Sequence, residues 1–384
     1  MKLVRPFFGA LFTVFPVFIL SLNGAAQDFE IRLIENSKTL SQAVAINANL
    51  DVIGTREVTE GPITSFRGFF RRGDVENDLG PPKTYSNLEP CALSENGFVA
   101  GYVSRPFGTD KSMLGFVWDS KTQEMVLLMP LATDTICQAQ DISADGKIVS
   151  GYSTGSNPPR TRPCVWELTE GSTVLEPREL SSIIDNSPFL QGGRVLISPD
   201  GKRVAGCIAE EQLSPIDFNS SLFVWEHSDN GEWIRRKISD EQPKLKDMNN
   251  EGTVVGSLKI EGILRACVVN LKGKITLIDL LRGDESNEAY GITSDGMVVG
   301  LSDDPTGGDG GPTAFVFKDG VVSPLLMPKE TIHSAALGIS DSGAICGYLA
   351  KETDGEEGGA FGFIRLPGGS LKDKPKVETK ERAK

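Results

Sequence analysis

The chain has 384 residues, with 39 Lys or Arg, 52 Asp or Glu and a formal net charge of −13. Its 39% apolar residues are enough to build a core, which excludes wholesale disorder. The acidic excess argues against general nucleic-acid binding, because a surface that follows phosphates needs a basic excess. With His227 and His333 as the two histidines, most multi-histidine metal sites are excluded as well.

The N-terminus has the layout of a secretory signal peptide. Lys2 and Arg5 precede an apolar run over 7–20, and small residues follow as far as Ala26. We expect residues 1–26 to be removed as a signal peptide and the mature chain to be secreted or periplasmic. A retained membrane anchor is the alternative, but the run is shorter than the roughly 20 residues that span a bilayer. No other segment predicts a transmembrane anchor.

Seven copies of one unit fill the chain from 43 to 365. Each has an apolar residue, a small polar residue, a turn, a β-branched run and a closing Gly, as in Ile339-Ser-Asp-Ser-Gly-Ala-Ile-Cys-Gly347. Turns of the Asn-Gly or Asp-Gly kind are typical of β-hairpins. The first copy has Asn49-Leu50 where the others have a turn Gly, so its turn is the least well predicted. The closing glycines recur every 44 to 55 residues, at positions 54, 101, 151, 206, 256, 300 and 347.

Two further strands are predicted after most of these hairpins. The third is rich in aromatic residues, as in Ala314-Phe-Val-Phe317, and a short fourth follows, for example Thr173–Leu175. Four antiparallel strands in each repeat predict an all-β, seven-bladed β-propeller over 27–367. The seventh unit lacks a fourth strand, so we predict that the N-terminal strand Phe29–Ile34 completes it and closes the ring. An open β-solenoid, the alternative, would leave this arrangement unexplained.

The repeat resembles two known kinds. The hairpin followed by Ala-Phe-Val-Phe resembles the secreted bacterial HAF repeat, named for His-Ala-Phe, and Ile197-Ser-Pro-Asp-Gly-Lys-Arg-Val-Ala205 resembles the β-propeller repeat of the TolB type. The resemblance covers 43–365 and implies an extracellular location, with no catalytic residues to carry over. No His precedes an Ala-Phe pair in this chain, so the namesake residue has no counterpart.

Motifs for catalysis are few. Gly151-Tyr-Ser-Thr-Gly155 matches the Gly-x-Ser-x-Gly of a nucleophile elbow, but a Pro-rich loop follows where that motif needs a helix. Ser153 is therefore interpreted as a loop serine, and neither His lies in a suggestive setting. No Asp/Glu pair in the first strands looks buried. Asp141 and Asp247 share a repeat position and are expected to serve turns or the channel rim.

Six cysteines in an exported chain raise the question of disulfides. Repeat positions place most of them in blades that are not neighbours, which predicts small buried apolar residues. Cys91 and Cys137 are the one pair left open. Trp118, Trp166 and Trp225 share one repeat position. We predict that they pack between blades, the alternative being a row that stacks on sugars.

The segments between second and third strands emerge on one face if the strands run from inner to outer. Acidic residues concentrate there in blades six and seven. Because hard oxygen ligands suit Ca²⁺, this sector is a candidate site for Ca²⁺ or for a basic partner. The alternative is a solvated acidic rim that aids solubility. The candidate metal ligands are Asp303, Asp304, Asp309, Glu352 and Asp354.

Residues 368–384 are predicted to be a disordered basic tail, because 372–384 hold six Lys or Arg against three Asp or Glu. Such a tail is either a solvated end or a contact to cell wall or lipid headgroups. Taken together, the sequence predicts an exported, monomeric, non-catalytic propeller that binds a protein, peptide or carbohydrate. The alternatives are a propeller enzyme, a polysaccharide hydrolase or lyase with its site on the loop-bearing face, and a purely structural envelope protein.

Overall fold

The computed structural model describes residues 29–34, 40–60, 63–105, 113–156, 159–169, 175–180, 194–214, 217–281, 283–303, 311–353 and 356–367. These residues form seven four-stranded antiparallel sheets and no helix. Accordingly, no helix in this part of the chain is long and apolar enough to cross a bilayer. The predicted signal peptide 1–26 and the predicted tail 368–384 lie outside the described residues.

The N-terminal strand, β1, spans Glu30–Leu33, and four complete blades follow it in chain order. Each blade runs from its inner strand to its outer strand. Blade 1 contains β2 (Ser41–Ile46), β3 (Val52–Glu60), β4 (Ile63–Arg72) and β5 (Val75–Leu79); blade 2 contains β6 (Asn87–Leu93), β7 (Phe98–Ser104), β8 (Met113–Asp119) and β9 (Met125–Leu127); blade 3 contains β10 (Ile136–Ile142), β11 (Ile148–Ser156), β12 (Pro159–Glu167) and β13 (Pro177–Glu179); blade 4 contains β14 (Val195–Ile197), β15 (Arg203–Ser214), β16 (Asp217–His227) and β17 (Trp233–Ser239).

Three more blades complete the ring. The outer strand of blade 3 is β13, not the predicted Thr173–Leu175; Leu175 makes an isolated bridge to Leu128 instead. Blade 5 contains β18 (Lys244–Met248), β19 (Val254–Ile260), β20 (Ile263–Val269) and β21 (Ile275–Leu277); blade 6 contains β22 (Ser286–Ile292), β23 (Val298–Asp303), β24 (Thr313–Lys318) and β25 (Val321–Pro324); blade 7 contains β26 (Thr331–Ile339), β27 (Ile345–Thr353) and β28 (Glu356–Leu366).

The ring closes through its N-terminal strand, as predicted. β1 pairs antiparallel with β28, with Glu30 opposite Leu366 and Leu33 opposite Phe363, so blade 7 has the order β26-β27-β28-β1. The backbone N–H of Ile34 donates to the carbonyl of Gly362 at 2.7 Å. The prediction of a seven-bladed propeller with four antiparallel strands in each blade is therefore confirmed.

The core lies between the blades. Seven clusters of buried apolar residues each combine side chains from two neighbouring blades. Trp118, Trp166 and Trp225 are buried in three of them, which confirms the packing role. Trp166 also donates its indole N–H to the carbonyl of Met129, in the neighbouring blade 2 segment, at 2.9 Å. Burial of these faces between blades supplies the main stabilisation of the ring.

Most closing glycines are required because the backbone of the inner strand lies close to their Cα, and not because their φ is positive. At six of the seven positions, a Cβ would lie within 3.0 Å of a carbonyl oxygen on the inner strand of the same blade. No side-chain rotation can relieve a contact with backbone, so these six positions accept glycine alone without a shift of the strand. Gly206 in blade 4 differs, because the nearest atom to its Cβ would be on Trp225 at 3.4 Å.

The first hairpin turn forms despite its lack of glycine. Leu50 takes φ +64°, the left-handed conformation that Gly296 or Gly343 takes in the corresponding turns. The backbone N–H of Leu50 donates to the carbonyl of Asn47 at 3.0 Å. Leu50 also packs against the core between blades 7 and 1, and this contact offsets part of the roughly 1–2 kcal/mol that a left-handed residue costs.

Candidate functional site

Most of the inner strands that surround the central channel share a β-bulge. In six blades the register of the inner strand shifts by one residue next to the closing glycine. A β-bulge of this kind leaves one residue without a ladder partner and turns its backbone groups out of the sheet. The extra residues are Val44, Cys91, Gln140, Lys246, Tyr290 and Leu337.

Arg194 satisfies three of the carbonyls that the bulges release. Its guanidinium donates to the carbonyls of Gln140 at 2.6 Å, Lys246 at 3.1 Å and Cys91 at 3.3 Å. These acceptors belong to blades 3, 5 and 2, whereas Arg194 directly precedes the inner strand of blade 4. Buried backbone carbonyls need donors, and Arg carries five N–H groups in a rigid fork. Arg194 therefore spans the channel and joins four blades.

Two carboxylates connect further pairs of blades from within the channel. Asp141 accepts the N–H of Ile142 and, across to blade 4, the N–H of Ile197, both at 2.9 Å. Asp247 likewise accepts from Met248 and, across to blade 6, from Ile292, both at 2.8 Å. Each carboxylate uses one oxygen for its own blade and the other for the next. Both residues are half-buried and line the cavity of the channel.

The pKa values of both carboxylates are raised. Burial raises the pKa of Asp141 to about 6, against the opposing effects of the Arg194 charge and of the two backbone donors. Burial also raises the pKa of Asp247 to about 7, and the negative charge of Asp141 adds to the rise. Burial lowers the pKa of Lys246, whose ammonium lies 4.3 Å from the centre of the Tyr290 ring. Water solvates these charged groups poorly. Backbone N–H groups and the positive charge of Arg194 stabilise the two carboxylates instead.

A cavity of about 580 Å³ extends from the bulge residues to the hairpin turns between first and second strands. We call this side of the propeller the hairpin face and the opening of the cavity the channel mouth. Apolar side chains such as Val44, Leu93 and Ile142 line the wall together with charged ones, among them the cations Arg194 and Lys246. Glu95, Asp200 and Asp341 line it among the turns.

Hydrogen bonds between neighbouring turns fix the rim of the channel mouth. Ala48 N–H donates to the carboxylate of Glu95 at 2.9 Å, and Ser294 N–H donates to that of Asp341 at 2.7 Å. Burial raises the pKa of Glu95; the Ala48 hydrogen bond opposes this, and the charge of Asp341 raises it further. Glu95 and Asp341 thus repel each other across the mouth. Further turn-to-turn bonds run from Asn47 to Ser94, Asn96 to Asp145, Ala144 to Pro199, Asp200 to Asn250 and Asn249 to Thr293.

Of the residues predicted as a calcium site, Asp303 and Glu352 lie away from this channel, on the opposite face. Asp303 ends β23 and is half-buried, and its charge contributes to the raised pKa of Tyr348 in β27, after burial as the larger cause. Glu352 belongs to β27, opposite Glu357 of β28, and its side chain is not described. Asp304, Asp309 and Asp354 lie outside the described residues. Among the residues that the structure does describe, no three His, Cys, Asp or Glu are grouped to hold a metal ion. The calcium site remains a prediction.

Ser153, the candidate nucleophile, and the two histidines make contacts within the propeller. Ser153 is fully buried, donates to Asp134 at 2.8 Å and accepts the N–H of Leu131 at 2.9 Å. Arg162 completes this buried group through its 3.0 Å contact with Asp134. The ring of His227 lies 4.7 Å from that of Trp233. His333 lies against Gly311, at the entry to the third strand of blade 6. Ser153 thus lies within β11 and not in the loop expected from the sequence, and its hydroxyl is engaged by Asp134 and Leu131.

All six cysteines are free. Cys137 is buried and donates to the carbonyl of Leu128 at 3.4 Å, so the pair with Cys91 that was left open is not formed. Cys91 is half-buried in the channel wall, and burial raises the pKa of its thiol to about 12. A thiol of such a high pKa is a weak nucleophile. The other five are buried, as expected for small apolar residues.

The residues of the channel mouth were not predicted from the sequence, because the turn residues were interpreted only as residues that form hairpins. Arranged by blade, the turns carry an exposed acid in six of the seven copies. That recurrence was visible in the sequence and was the signal that could have predicted an acidic rim. No comparable signal predicted Arg194. It precedes the inner strand of blade 4, whose described residues show no register shift. The six turn acids are Glu95, Asp145, Asp200, Glu251, Asp295 and Asp341.

Comparison with solved structures shows the fold. The β-propeller domain of the Trilobed protease from Pyrococcus furiosus aligns with a TM-score of 0.50 at 12% identity, over 84% of this chain and 97% of that chain. A virginiamycin B lyase from Staphylococcus aureus, catalytically inactive and with quinupristin, aligns with a TM-score of 0.50 at 12% identity, over 88% and 100%. A prolyl endopeptidase aligns with a TM-score of 0.54 at 12% identity, over 87% of this chain and 46% of that chain.

Neither a family model nor a curated protein matches the sequence. At 12% identity, the structural similarity shows the β-propeller and nothing finer. The fold neighbours include a peptidase domain and a lyase by name, so the fold alone does not separate a binding module from an enzyme. The chain is a seven-bladed β-propeller built from hairpin repeats, closed by its own N-terminal strand.

Proposed function

We propose that the protein is an exported, monomeric, non-catalytic binding module, and that it binds a basic polypeptide segment at the channel mouth. The observation that carries the proposal is the cavity, whose lining combines apolar side chains with the acidic turn residues Glu95, Asp200 and Asp341 at its mouth. A volume of about 580 Å³ lies within the usual range of ligand pockets, roughly 300–1,000 Å³. Acidic side chains next to apolar ones suit lysine and arginine, whose stems are apolar and whose ends are charged. The two cations of the lining, Arg194 and Lys246, lie at the bulges and not among the turns.

The absence of catalysis in this proposal is supported by how the channel groups are engaged. A polysaccharide hydrolase needs a carboxylate pair about 5–9.5 Å apart that can reach the substrate. Asp141 and Asp247 each use both oxygens to accept backbone N–H groups, and Arg194 is engaged with three carbonyls. The enzyme alternative predicts new reducing ends or unsaturated products when the protein is incubated with polysaccharides.

The exported location and membership of the HAF repeat kind are parts of the same proposal. Support comes from the signal-like sequence of residues 1–26 and from the repeats over 43–365. N-terminal sequencing of the protein recovered outside the cytoplasm tests the location. Export with cleavage gives a chain that begins at Gln27, and an intact Met1 in the membrane fraction contradicts it.

Calorimetric titration of the full chain tests the ligand class. The probe is the peptide acetyl-Leu-Lys-Leu-Lys-Val-Lys-amide, and its glutamate analogue is the control. We expect the lysine peptide to bind and the glutamate peptide not to bind. The double variant Glu95→Gln/Asp341→Asn weakens binding about tenfold, because two exposed ion pairs contribute up to ~1 kcal/mol each. Glu251→Gln, which removes a turn acid that does not line this cavity, leaves it unchanged. The proposal fails if the peptide gives no heat at millimolar concentration or if the double variant binds it equally well.

The calcium site on the opposite face is a separate proposal with its own test. It involves the sector of Asp303, Asp304, Asp309, Glu352 and Asp354, and the support is the concentration of carboxylates in the sequence of two adjoining blades. Calorimetric titration with CaCl₂ is expected to give heat that Asp303→Asn reduces. No heat at millimolar calcium removes the proposal and leaves a solvated acidic rim.

A further inference from the structure

The C-terminal strand of the propeller ends on the hairpin face. Arg365, near the end of β28, pairs with Ile345, the first residue of β27 after the turn of blade 7. A Cβ on Gly343, in that turn, would lie 3.9 Å from Pro367. Residues after Pro367 therefore start on the face where the channel mouth opens.

The distance from Pro367 to the channel is short. Pro367 follows the third strand of blade 7, two strands out from the inner strand. Neighbouring strands lie about 4.8 Å apart, so the inner strand is about 10 Å away. The five residues from Pro367 to Lys372 can extend about 16–18 Å. A tether of this length is long enough to bring residue 372 to the inner strand of blade 7, which borders the channel mouth.

The segment after Pro367 complements the channel mouth in charge and in apolar character. Residues 372–384 carry six Lys or Arg and three Asp or Glu, in contrast to the acidic body. Apolar Leu371 and Val377 flank the lysines at 372, 374 and 376. The mouth offers Glu95, Asp200 and Asp341 next to apolar side chains such as Leu93 and Ile339. The charge of Asp341 contributes to the raised pKa of Glu95, so a lysine near both would offset this repulsion.

We propose that residues 371–384 bind in the channel mouth of their own chain, with lysines at the acidic rim and apolar side chains against the wall. The proposal rests on the same site as the proposed function and identifies a tethered occupant that competes with basic ligands. A short tether gives an effective concentration in the millimolar range. A segment that binds with an intrinsic dissociation constant of about 0.1 mM would then weaken the binding of a separate peptide roughly tenfold or more.

Carbodiimide cross-linking of the full chain tests the contact directly. The reagent joins a lysine amine to a carboxylate with which it is paired, and mass spectrometry of the digest identifies the two residues. We expect links from Lys372, Lys374 or Lys376 to Glu95, Asp200 or Asp341, formed within one chain and at equal yield when the protein is diluted tenfold. Glu95→Gln/Asp341→Asn lowers their yield, and Glu251→Gln does not. Links that form between chains alone, or none to these acids, overturn the proposal.

A competition titration separates this inference from the proposed function. The lysine peptide above is titrated into the full chain and into the full-length variant Lys372→Gln/Lys374→Gln/Lys376→Gln. If the segment occupies the mouth, the variant binds the peptide about tenfold more tightly, and 1 M NaCl reduces the difference. Equal affinity of both chains, without intramolecular links, overturns the tethered occupant and leaves the proposed function standing. Intramolecular links without peptide binding to either chain overturn the ligand class of the proposed function and retain the tethered contact.

Discussion

Replacement of Gly256 by alanine tests why each repeat closes with glycine. The new Cβ would lie 2.9 Å from the carbonyl carbon of Lys244, closer still to its oxygen, and 3.3 Å from the Cα of Leu245. All of these atoms are backbone, so the inner strand of blade 5 must move away from β19. Overpacking of this kind costs about 1–3 kcal/mol. A contact with backbone atoms alone places the cost at the upper end, about 3 kcal/mol. Because alanine loses about 0.5–1 kcal/mol less than glycine in backbone entropy, we expect a net destabilisation of about 2 kcal/mol.

The matched control is Gly206→Ala. Gly206 holds the same repeat position in blade 4, where the described inner strand pairs without a shift of register. The closest atom to a Cβ there is Cζ3 of Trp225 at 3.4 Å, an ordinary van der Waals contact. We expect Gly206→Ala to be neutral or to stabilise the protein by up to about 1 kcal/mol, since alanine restricts the unfolded chain more than glycine does.

Urea denaturation measures both changes, with the melting temperature as a second readout. An unfolding entropy of about 2.1 cal/mol/K per residue over roughly 300 ordered residues gives about 0.6 kcal/mol/K. A loss of about 2 kcal/mol therefore lowers the melting temperature by about 3 °C. If both alanine variants show the same stability, the close approach of the inner-strand carbonyl is not what requires the closing glycine.

Three further substitutions address the channel and the rim. Arg194→Met leaves three buried carbonyls without their donor and should destabilise the protein by about 3–5 kcal/mol in urea denaturation; a neutral result would mean that water replaces the guanidinium. Arg72→Ala removes the bidentate partner, at 2.6 and 2.7 Å, of the buried Asp51. Because the Arg72 side chain is half exposed, the cost should be about 1–2 kcal/mol, less than for a fully buried pair, and Asp51→Asn should recover part of it in the double variant; an unchanged urea midpoint would show that Asp51 does not need this cation. Asp247 has a folded-state pKa of about 7, above its ordinary 3.8, so the stability it contributes below pH 4 is lost as the pH rises to 7. The stability of Asp247→Asn relative to the natural chain should therefore rise over this window, and a constant difference would contradict the raised pKa.

The architecture was predictable because the hairpin unit recurs seven times in the sequence. Glycines with positive φ, such as Gly296 and Gly343, occupy the turn positions where a Cβ would be strained, so that each copy predicts the same hairpin. The surplus of one strand at the N-terminus and the shortage of one in blade 7 predicted the closure. Outer strands were less predictable: β13 is three residues long and has a largely exposed side, so its sequence carries a weak pattern.

The channel was not predictable in the same way, because its contacts join residues that no local pattern relates. Arg194 bonds to the carbonyl of Cys91, 103 residues away, and this carbonyl is free because a bulge has displaced it from the ladder. Neither the bulge nor the donor has a signature within one repeat.

The acidic rim, by contrast, follows from the repeat when its turns are compared across blades. Asp200 caps its own turn by accepting from Ser198 at 2.6 Å and from the N–H of Lys202 at 3.1 Å, and it also lines the cavity. Asp200 therefore has two roles. It stabilises its own hairpin turn, and it is one of three acids at the channel mouth, because closure of the ring brings the turns of different blades around one opening. A basic occupant of the mouth therefore meets the three turn acids that line the cavity, Glu95, Asp200 and Asp341, which come from three different blades.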